Sequence, residues 1–229
     1  MGVPLAMGWR HLLFENWPVD PDVMDAHLPR GLTPDVYDGS AWLSVVPFAN
    51  VALRPKGLDE RLGVRLPECN VRTYVTLDGV AAVYFFGLDA QGIASVVGAR
   101  VFHHLPYYYA RISLDREGDT VRFDSRRLHP GARPARYAGT YRPTGPAVSA
   151  PDDPLGAFLV ERYRFYTEAQ DGSIRYTDVE HDPWTLYPAD AEIETNTLFS
   201  AHGFADPDAD PVRYYSPGLD VVASQSRRL

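Results

Sequence analysis

The stretch ECNVRTYVTLDGVAAVYFFGL, residues 68–88, decides the fold because it holds two β-rich runs joined by a tight-turn signal. Val and Tyr occur in both runs, Thr in the first and Phe in the second, and all four residue types favour strands. The dipeptide Asp78-Gly79 between them is the strongest short-range sign of a two-residue hairpin turn. The sequence therefore predicts an antiparallel hairpin here and a mainly β protein around it.

The first strand of this hairpin has one polar face. Because side chains alternate along a strand, one face carries Glu68, Asn70, Arg72, Tyr74 and Thr76, and the other carries Cys69, Val71, Thr73, Val75 and Leu77. The partner run, residues 80–88, is apolar on both faces, which is typical of a strand buried on both sides. We therefore expect the polar face to line an internal cavity; a face turned to bulk water is the alternative.

The rest of the chain predicts short strands and few helices within one domain, residues 1–229. The 18 glycines and 20 prolines are scattered at short intervals, which is typical of a chain with many turns. Asp-Pro pairs open two of the predicted helices. Strands are predicted at 41–53, 107–114 and 120–125 and after 173, helices at 20–28, 91–103 and 153–166, and a long surface excursion with a strand-like piece (135–142) at 126–154.

Charge and composition exclude several classes of protein. The 22 basic and 30 acidic residues give a net charge of −8, which argues against a nucleic-acid binder. The single cysteine, Cys69, excludes an internal disulfide and favours a cytoplasmic setting. The N-terminal segment does not resemble a signal peptide, and the longest apolar run, residues 79–88, is about half of what a bilayer span needs. We predict a soluble cytoplasmic protein with no membrane partner.

The chain has no standard signature of nucleotide, cofactor or metal binding. Gly-x-Gly-x-x-Gly, the P-loop, Gly-x-Ser-x-Gly and His-Glu-x-x-His are all absent from the sequence. The pairs His103-His104 and His181-Asp182 have no third ligand at a diagnostic spacing, so structural or hydrogen-bonding roles are favoured for them. We expect neither a metal nor a cofactor.

At residues 98–110, GARVFHHLPYYYA, the sequence resembles the acetoacetate decarboxylase-like superfamily. In that superfamily a Gly-Arg pair precedes Pro-Lys-Lys, and the spacing from Arg100 to Pro106 puts Tyr107 and Tyr108 where the decarboxylases have their lysines. Within the superfamily the chain is most similar to the uncharacterised YqjF-like family. The motifs that carry this resemblance are DGxAW at 38–42, ExNVRTYV at 68–75, YFFxLD at 84–89, AR at 99–100, LPY at 105–107, ERY at 161–163 and HxPW at 181–184.

The resemblance implies a closed or nearly closed antiparallel β-barrel with peripheral helices and a central cavity. It does not imply the decarboxylase reaction, which needs a lysine amine that forms an imine and a second lysine that lowers its pKa. Lys56 is the only lysine in the chain and lies in a turn-like segment. Acetoacetate decarboxylation is therefore excluded.

Three side chains are candidates for catalysis in such a cavity. Glu68 is a potential general base, because partial burial raises the pKa of a carboxyl group toward neutrality. Tyr107 and Tyr108 are potential proton donors to a substrate oxygen. The sequence leaves open which of the two tyrosines faces inward.

Charged, polar and aromatic side chains are the candidates for ligand binding. Arg72 and Arg100 suit a carboxylate, since a guanidinium binds one through two parallel hydrogen bonds. Structural roles are the alternative, with Arg72 paired to an acid of its own strand and Arg100 bracing its helix. Asn70 shares the polar face, and Tyr84 and Trp184 are candidate aromatic walls.

Three functions agree with this site. The first is binding of a small organic acid, with lyase- or isomerase-type chemistry that needs no Schiff base. The second is a non-enzymatic ligand-binding or sensor module that uses the same cavity. The third is a homo-oligomeric structural protein whose barrel is filled by large side chains. A cavity too small for more than one or two waters would favour the third.

Overall fold

Strands dominate the computed structural model, which describes residues 3–92 and 105–229. The helix predicted at residues 91–103 lies outside these ranges from residue 93 onward. Among the described residues, no helix has both the length and the apolar character needed to cross a membrane. The strands are β1 (Leu5–Val19), β2 (Thr33–Pro34), β3 (Ala41–Pro55), β4 (Val64–Leu77), β5 (Val80–Ala90), β6 (Tyr107–Glu117), β7 (Thr120–Arg127), β8 (Arg136–Pro143), β9 (Val148–Ser149), β10 (Arg164–Glu168), β11 (Ile174–His181), β12 (Thr185–Asn196), β13 (Val212–Ala223) and β14 (Arg227–Arg228). The helices are α1 (Pro21–Asp25), α2 (Pro154–Val160) and α3 (Leu198–Ala201), with 3₁₀ turns at Glu60–Leu62 and Ala150–Asp152.

The predicted hairpin is present in the structure. β4 and β5 are paired antiparallel, from Leu77 opposite Val80 at the turn to Glu68 opposite Ala90. The two turn residues, 78 and 79, have φ values of 52° and 77°. Positive φ at both central residues is typical of the two-residue hairpin turn that an Asp-Gly pair favours.

Strand pairing closes the sheet into a ring. Within the described ranges the order β5-β6-β7-β8-β12-β13-β1-β3-β4 returns to β5, so nine strands form a closed or nearly closed barrel. We call these strands the larger ring. The predicted mainly β fold is confirmed, with one difference in detail. β5 is parallel to both β6 and β10, so the barrel is not purely antiparallel.

A second ring shares a wall with the first. β10 and β11 connect β5 to β13, so β5, β10, β11, β13, β1, β3 and β4 also close on themselves. We call these strands the smaller ring. On β3, Leu43 and Val45 pack inside the larger ring, and Val46 and Phe48 pack inside the smaller ring. A core on each face explains why every residue of β3 from 41 to 50 is buried.

The segment predicted as a surface excursion, residues 126–154, instead contributes a central strand. Its strand β8 pairs with β7 on one side and with β12 on the other. Tyr137 and Tyr141 of β8 are almost wholly buried in the core of the larger ring, together with Phe123 of β7. The strand-like piece predicted at 135–142 is therefore present as β8, but the surface excursion predicted around it was wrong, because inward-facing tyrosines make β8 a central strand of the barrel.

The helix predicted at residues 153–166 is shorter than expected. Asp153 caps α2 by accepting a hydrogen bond from the backbone N–H of Gly156, at 3.1 Å. α2 ends at Val160, and the chain then turns into β10, which pairs with β11. The predicted helix therefore divides into a helix of two turns and the first residues of a strand that pairs with both β5 and β11 in the smaller ring.

Gly218 of β13 is expected to tolerate no side chain. Its φ is +111°, and a Cβ atom there would lie 1.8 Å from the carbonyl oxygen of Trp9. Gly218→Ala should lower the free energy of unfolding by more than about 2 kcal/mol, measured by urea denaturation. Gly118→Ala is the matched control, since Gly118 also has a positive φ but has nothing within 4 Å of a built Cβ. It should cost about 1 kcal/mol; equal losses for the two variants would contradict the prediction.

Candidate functional site

The smaller ring encloses a cavity of about 130 Å³. One water needs roughly 10–15 Å³ measured in the same way, so this cavity has room for a small organic molecule. Most of its lining is apolar or aromatic, and its polar side chains within the described ranges are Asn50, Glu68, Asn70, Arg72 and Tyr107. A barrel filled by large side chains therefore describes the larger ring but not the smaller one.

Glu68 lies on β4 at one end of this cavity, with 4% of its surface exposed. The hydroxyl of Tyr107 donates a hydrogen bond to Glu68 Oε2 at 2.8 Å, and the side chains of Asn70 and Asn50 also hydrogen-bond to the carboxylate. Burial raises the pKa of Glu68 to about 7, because the loss of hydration outweighs the three hydrogen bonds. Glu68 is thus able to exchange a proton near neutral pH.

Tyr107 is brought to Glu68 by the parallel pairing of β6 with β5, in which Tyr107 is opposite Leu88. Burial and the adjacent carboxylate of Glu68 raise the pKa of Tyr107 well above its usual value. The phenol therefore remains protonated and acts as a hydrogen-bond donor.

Arg72 lies on the same face of β4 and is held in place without an acidic partner. Its Nη2 donates to the backbone carbonyl of Leu159, near the end of α2, at 3.1 Å. Its guanidinium carbon lies 5.3 Å from the centre of the Phe14 ring. In the described part of the chain no carboxylate lies within 4 Å of Arg72, and its buried Nε has no hydrogen-bond partner. The structural alternative, an ion pair with an acid of the same strand, is not observed.

Glu68 differs from the other buried carboxylates in the described part of the chain. Glu15 accepts a hydrogen bond from Arg213 at 2.9 Å, and Asp89 accepts one from Arg127 at 2.7 Å. Glu68, in contrast, accepts hydrogen bonds only from neutral groups among the described residues, and it faces a cavity. A buried carboxylate of this kind is more typical of a general base than of a structural ion pair.

Two of the candidate residues lie outside the cavity, and a third falls outside the described residues. The ring of Tyr108 lies under the guanidinium of Arg127, 4.0 Å away, because neighbouring residues of a strand point to opposite faces. Tyr84 packs edge-on against Phe86 and does not line the cavity. Arg100 belongs to the segment 93–104, which the structure does not describe.

Trp184, a candidate aromatic wall residue, lines the cavity. Its ring stacks on Trp9 with 6.0 Å between ring centres, and the edge of Phe14 meets it at 5.3 Å. The polar residue Asn50 and most of the aromatic lining were not predicted from the sequence. Asn50 could have been predicted from the sequence, because it is two residues from Phe48 on a largely apolar strand and therefore points to the same face.

No lysine is available to the cavity. Lys56, the only lysine of the chain, is exposed just beyond β3, and its backbone N–H donates to the carbonyl of Pro4. Among the residues that the structure describes, no group of three His, Cys, Asp or Glu side chains is placed to hold a metal ion.

Solved structures similar to this one are acetoacetate decarboxylase-like proteins. The whole chain aligns with 90% of MppR, an enduracididine biosynthesis enzyme complexed with the condensation product of pyruvate and imidazole 4-carboxaldehyde, at a TM-score of 0.70 and 15% identity. It also aligns, over 99% of its length, with 87% of acetoacetate decarboxylase from Legionella pneumophila, at a TM-score of 0.64 and 13% identity. The protein therefore has an acetoacetate decarboxylase-like fold.

Sequence comparison narrows this class to one family. Residues 6–220 match DUF2071, a family of uncharacterized conserved proteins. The chain is 41% identical to the uncharacterized protein YqjF of Bacillus subtilis (strain 168) over 215 residues, which cover 93% of this chain and 88% of YqjF. The chain belongs to this YqjF-like family, and the resemblance inferred from its motifs is confirmed.

Proposed function

We propose that the protein binds a small organic acid in the cavity of the smaller ring and catalyses proton transfer on it, in a lyase- or isomerase-type reaction. The observation that carries this proposal is the hydrogen-bonded pair of Glu68 and Tyr107, which lines the same cavity as Arg72, a guanidinium with no acidic partner among the described residues. An anion-binding group and a proton-transfer group facing one apolar cavity are the two parts that such a reaction needs.

Each side chain has a distinct role in this mechanism. Arg72 binds the carboxylate of the ligand. Glu68 removes a proton from a carbon next to a carbonyl group; the C–H bond breaks, the proton passes to Glu68, and the electron pair moves to the carbonyl oxygen as an enolate. Protonation of Glu68 frees the hydroxyl of Tyr107 to donate a hydrogen bond to that oxygen. The proton then returns to a different carbon in an isomerisation, or a leaving group departs in a lyase reaction.

This chemistry requires no imine. A Schiff base needs a neutral amine inside the cavity, and the only lysine, Lys56, is exposed outside it. The neighbours support an oxo acid as the type of ligand, since MppR is known in complex with pyruvate and with a condensation product of pyruvate. In the proposed mechanism, general acid–base chemistry by Glu68 and Tyr107 takes the place of covalent activation through an imine.

The experiment that tests this function is exchange of carbon-bound hydrogen for deuterium, followed by NMR on oxo acids of increasing length: pyruvate, 4-oxopentanoate and 6-oxoheptanoate. The wild-type protein should accelerate exchange of at least one of them, with a rate that rises as the pH passes about 7. Glu68→Gln should reduce the rate by roughly 10²- to 10⁴-fold, because the base is lost. Glu117→Gln, at an exposed site on β6, is the matched control and should leave the rate unchanged.

Two results would contradict the proposal. Exchange at the same rate in Glu68→Gln would remove Glu68 from the mechanism. Binding of an acid in the cavity, detected as a rise in the melting temperature, with no exchange in the wild-type protein would favour the ligand sensor over the enzyme.

A further inference from the structure

We infer that the ligand is an elongated acid, in which an apolar spacer separates the carboxylate from a hydroxyl or enol group, rather than a three-carbon oxo acid. This inference rests on the proposed function and adds the length and polarity of the ligand. It follows from the positions of the polar groups in the cavity and from the hydrogen bonds that the protein leaves unmade.

The two polar ends of the cavity are far apart. β4 is regular from 67 to 73, with successive partners on β3 from Ala49 opposite Pro67 to Leu43 opposite Thr73. At the rise of a regular strand, the Cα atoms of Glu68 and Arg72 are therefore about 13 Å apart.

The two side chains are held by different partners and not by each other; Glu68 also hydrogen-bonds to Asn70, which lies between them on β4. The Nη2 atom of Arg72 donates to Tyr74, two residues further along β4, and to Leu159. Glu68 is hydrogen-bonded to Asn50, which is opposite residue 66 on the other side of Glu68. A three-carbon acid that binds Arg72 through its carboxylate is too short to reach Glu68.

Apart from Asn70, the cavity is apolar between Glu68 and Arg72, and it is polar at these two residues. Val46 and Phe85 are the strand neighbours of Asn70 and Arg72, and both line the cavity with apolar surface. At the Arg72 end, the buried Nε is a donor that no described protein group satisfies. A carboxylate supplies the acceptor that it lacks.

At the Glu68 end, the buried atoms without a hydrogen-bond partner among the described residues are acceptors instead of a donor. Asn50 and Asn70 are 5% and 4% exposed, and both line the cavity. With their side chains hydrogen-bonded to Glu68, their Oδ1 atoms are buried acceptors without a partner in the described part of the chain. Buried polar atoms are generally satisfied, so the ligand is expected to present a donor here. A hydroxyl group, or the enol that forms when Glu68 removes a proton, is such a donor.

The test compares three probes by isothermal titration calorimetry: 3-(4-hydroxyphenyl)propanoate, its deoxy analogue 3-phenylpropanoate, and pyruvate. The hydroxylated long acid should bind roughly tenfold more tightly than the deoxy acid, which is what one hydrogen bond contributes at the upper end of its range. Pyruvate should bind more weakly than both, because it reaches only one end of the cavity.

Variants assign each effect to its residue. Asn70→Leu should bring the affinity ratio of the hydroxylated and deoxy acids close to one, and Asn50→Leu provides the same comparison if Asn70→Leu does not fold. Arg72→Leu should weaken both long acids by between ten- and a hundredfold while keeping their ratio. Arg122→Leu, at an exposed arginine of β7, is the control and should change nothing.

Different results would overturn the inferred ligand length and the proposed function. Pyruvate binding as tightly as the hydroxylated long acid, or an affinity ratio that persists in both Asn variants, would overturn the inference and leave the proposed function standing. If no acid binds, or if Arg72→Leu binds all the probes as the wild type does, the proposed function itself is overturned.

Discussion

Asp89→Ala is expected to lower the free energy of unfolding by about 3–5 kcal/mol. Asp89 and Arg127 form an ion pair at 2.7 Å, with 1% and 3% of their side chains exposed. Removing the carboxylate leaves the guanidinium buried with no counter-charge among the described residues, where its other side-chain contacts, Tyr108 and His202, are neutral. Urea denaturation at pH 7 measures the loss.

A second ion pair on the same sheet is the matched control. Arg136 and Asp124 are 2.6 Å apart, but their side chains are 49% and 42% exposed. Asp124→Ala should therefore cost no more than about 1 kcal/mol, because water stabilises the arginine left behind. Replacing both members of the buried pair, as Asp89→Leu with Arg127→Leu, should recover most of the loss. Similar losses for the buried and exposed single variants would contradict the expectation.

Glu68→Gln is expected to stabilise the folded protein at pH 8 by about 3 kcal/mol, although it removes the proposed general base. The pKa of Glu68 is raised from 4.5 to about 7 in the folded state, so the fold binds this proton more tightly than the unfolded chain does. The contribution of Glu68 to stability is therefore largest below pH 4.5 and is lost as the pH rises to about 7. Above that pH the ionised, buried carboxylate is a constant cost, and a neutral glutamine avoids it.

The measurement is the difference in unfolding free energy between Glu68→Gln and wild type at pH 5, 6, 7 and 8. The difference should be small at pH 5 and should grow to its full value near pH 8. Other titrating groups, such as Asp89, are common to both proteins and largely cancel. Glu117→Gln, at an exposed site, should show no such trend. A difference that does not change with pH would contradict the raised pKa of Glu68.

Local sequence pattern was enough to predict the hairpin and the face that lines the cavity. Glu68, Asn70 and Arg72 are placed by strict alternation along β4, which has no irregularity between them. Alternation fails on the partner strand, because Val71 is opposite Gly87 while Arg72 is opposite Phe85. β5 therefore has one extra residue at this point, and the side chains before it point to the opposite face from the one that simple alternation predicts. As a result, Phe85 lines the cavity and Tyr84 does not.

Contacts between distant parts of the chain were not predictable in this way. Whether Tyr107 or Tyr108 faces the cavity depends on the parallel register that places Tyr107 opposite Leu88. The smaller ring itself depends on the pairing of β11 with β13, at Val179 opposite Ala223. Such registers are set by tertiary packing and leave no periodic signal in the sequence.

In the wall shared by the two rings, the residues that line the cavity are different from those that pack in the core of the larger ring, so the two sets can change independently in evolution. Phe48 and Val45 lie close together on β3, yet one lines the cavity and the other belongs to the packed core of the larger ring. A lineage is free to reshape the first face, and so to change which molecules fit, while the second face continues to hold the barrel together. Relatives with the same folding core and different ligands are the expected outcome of such an arrangement.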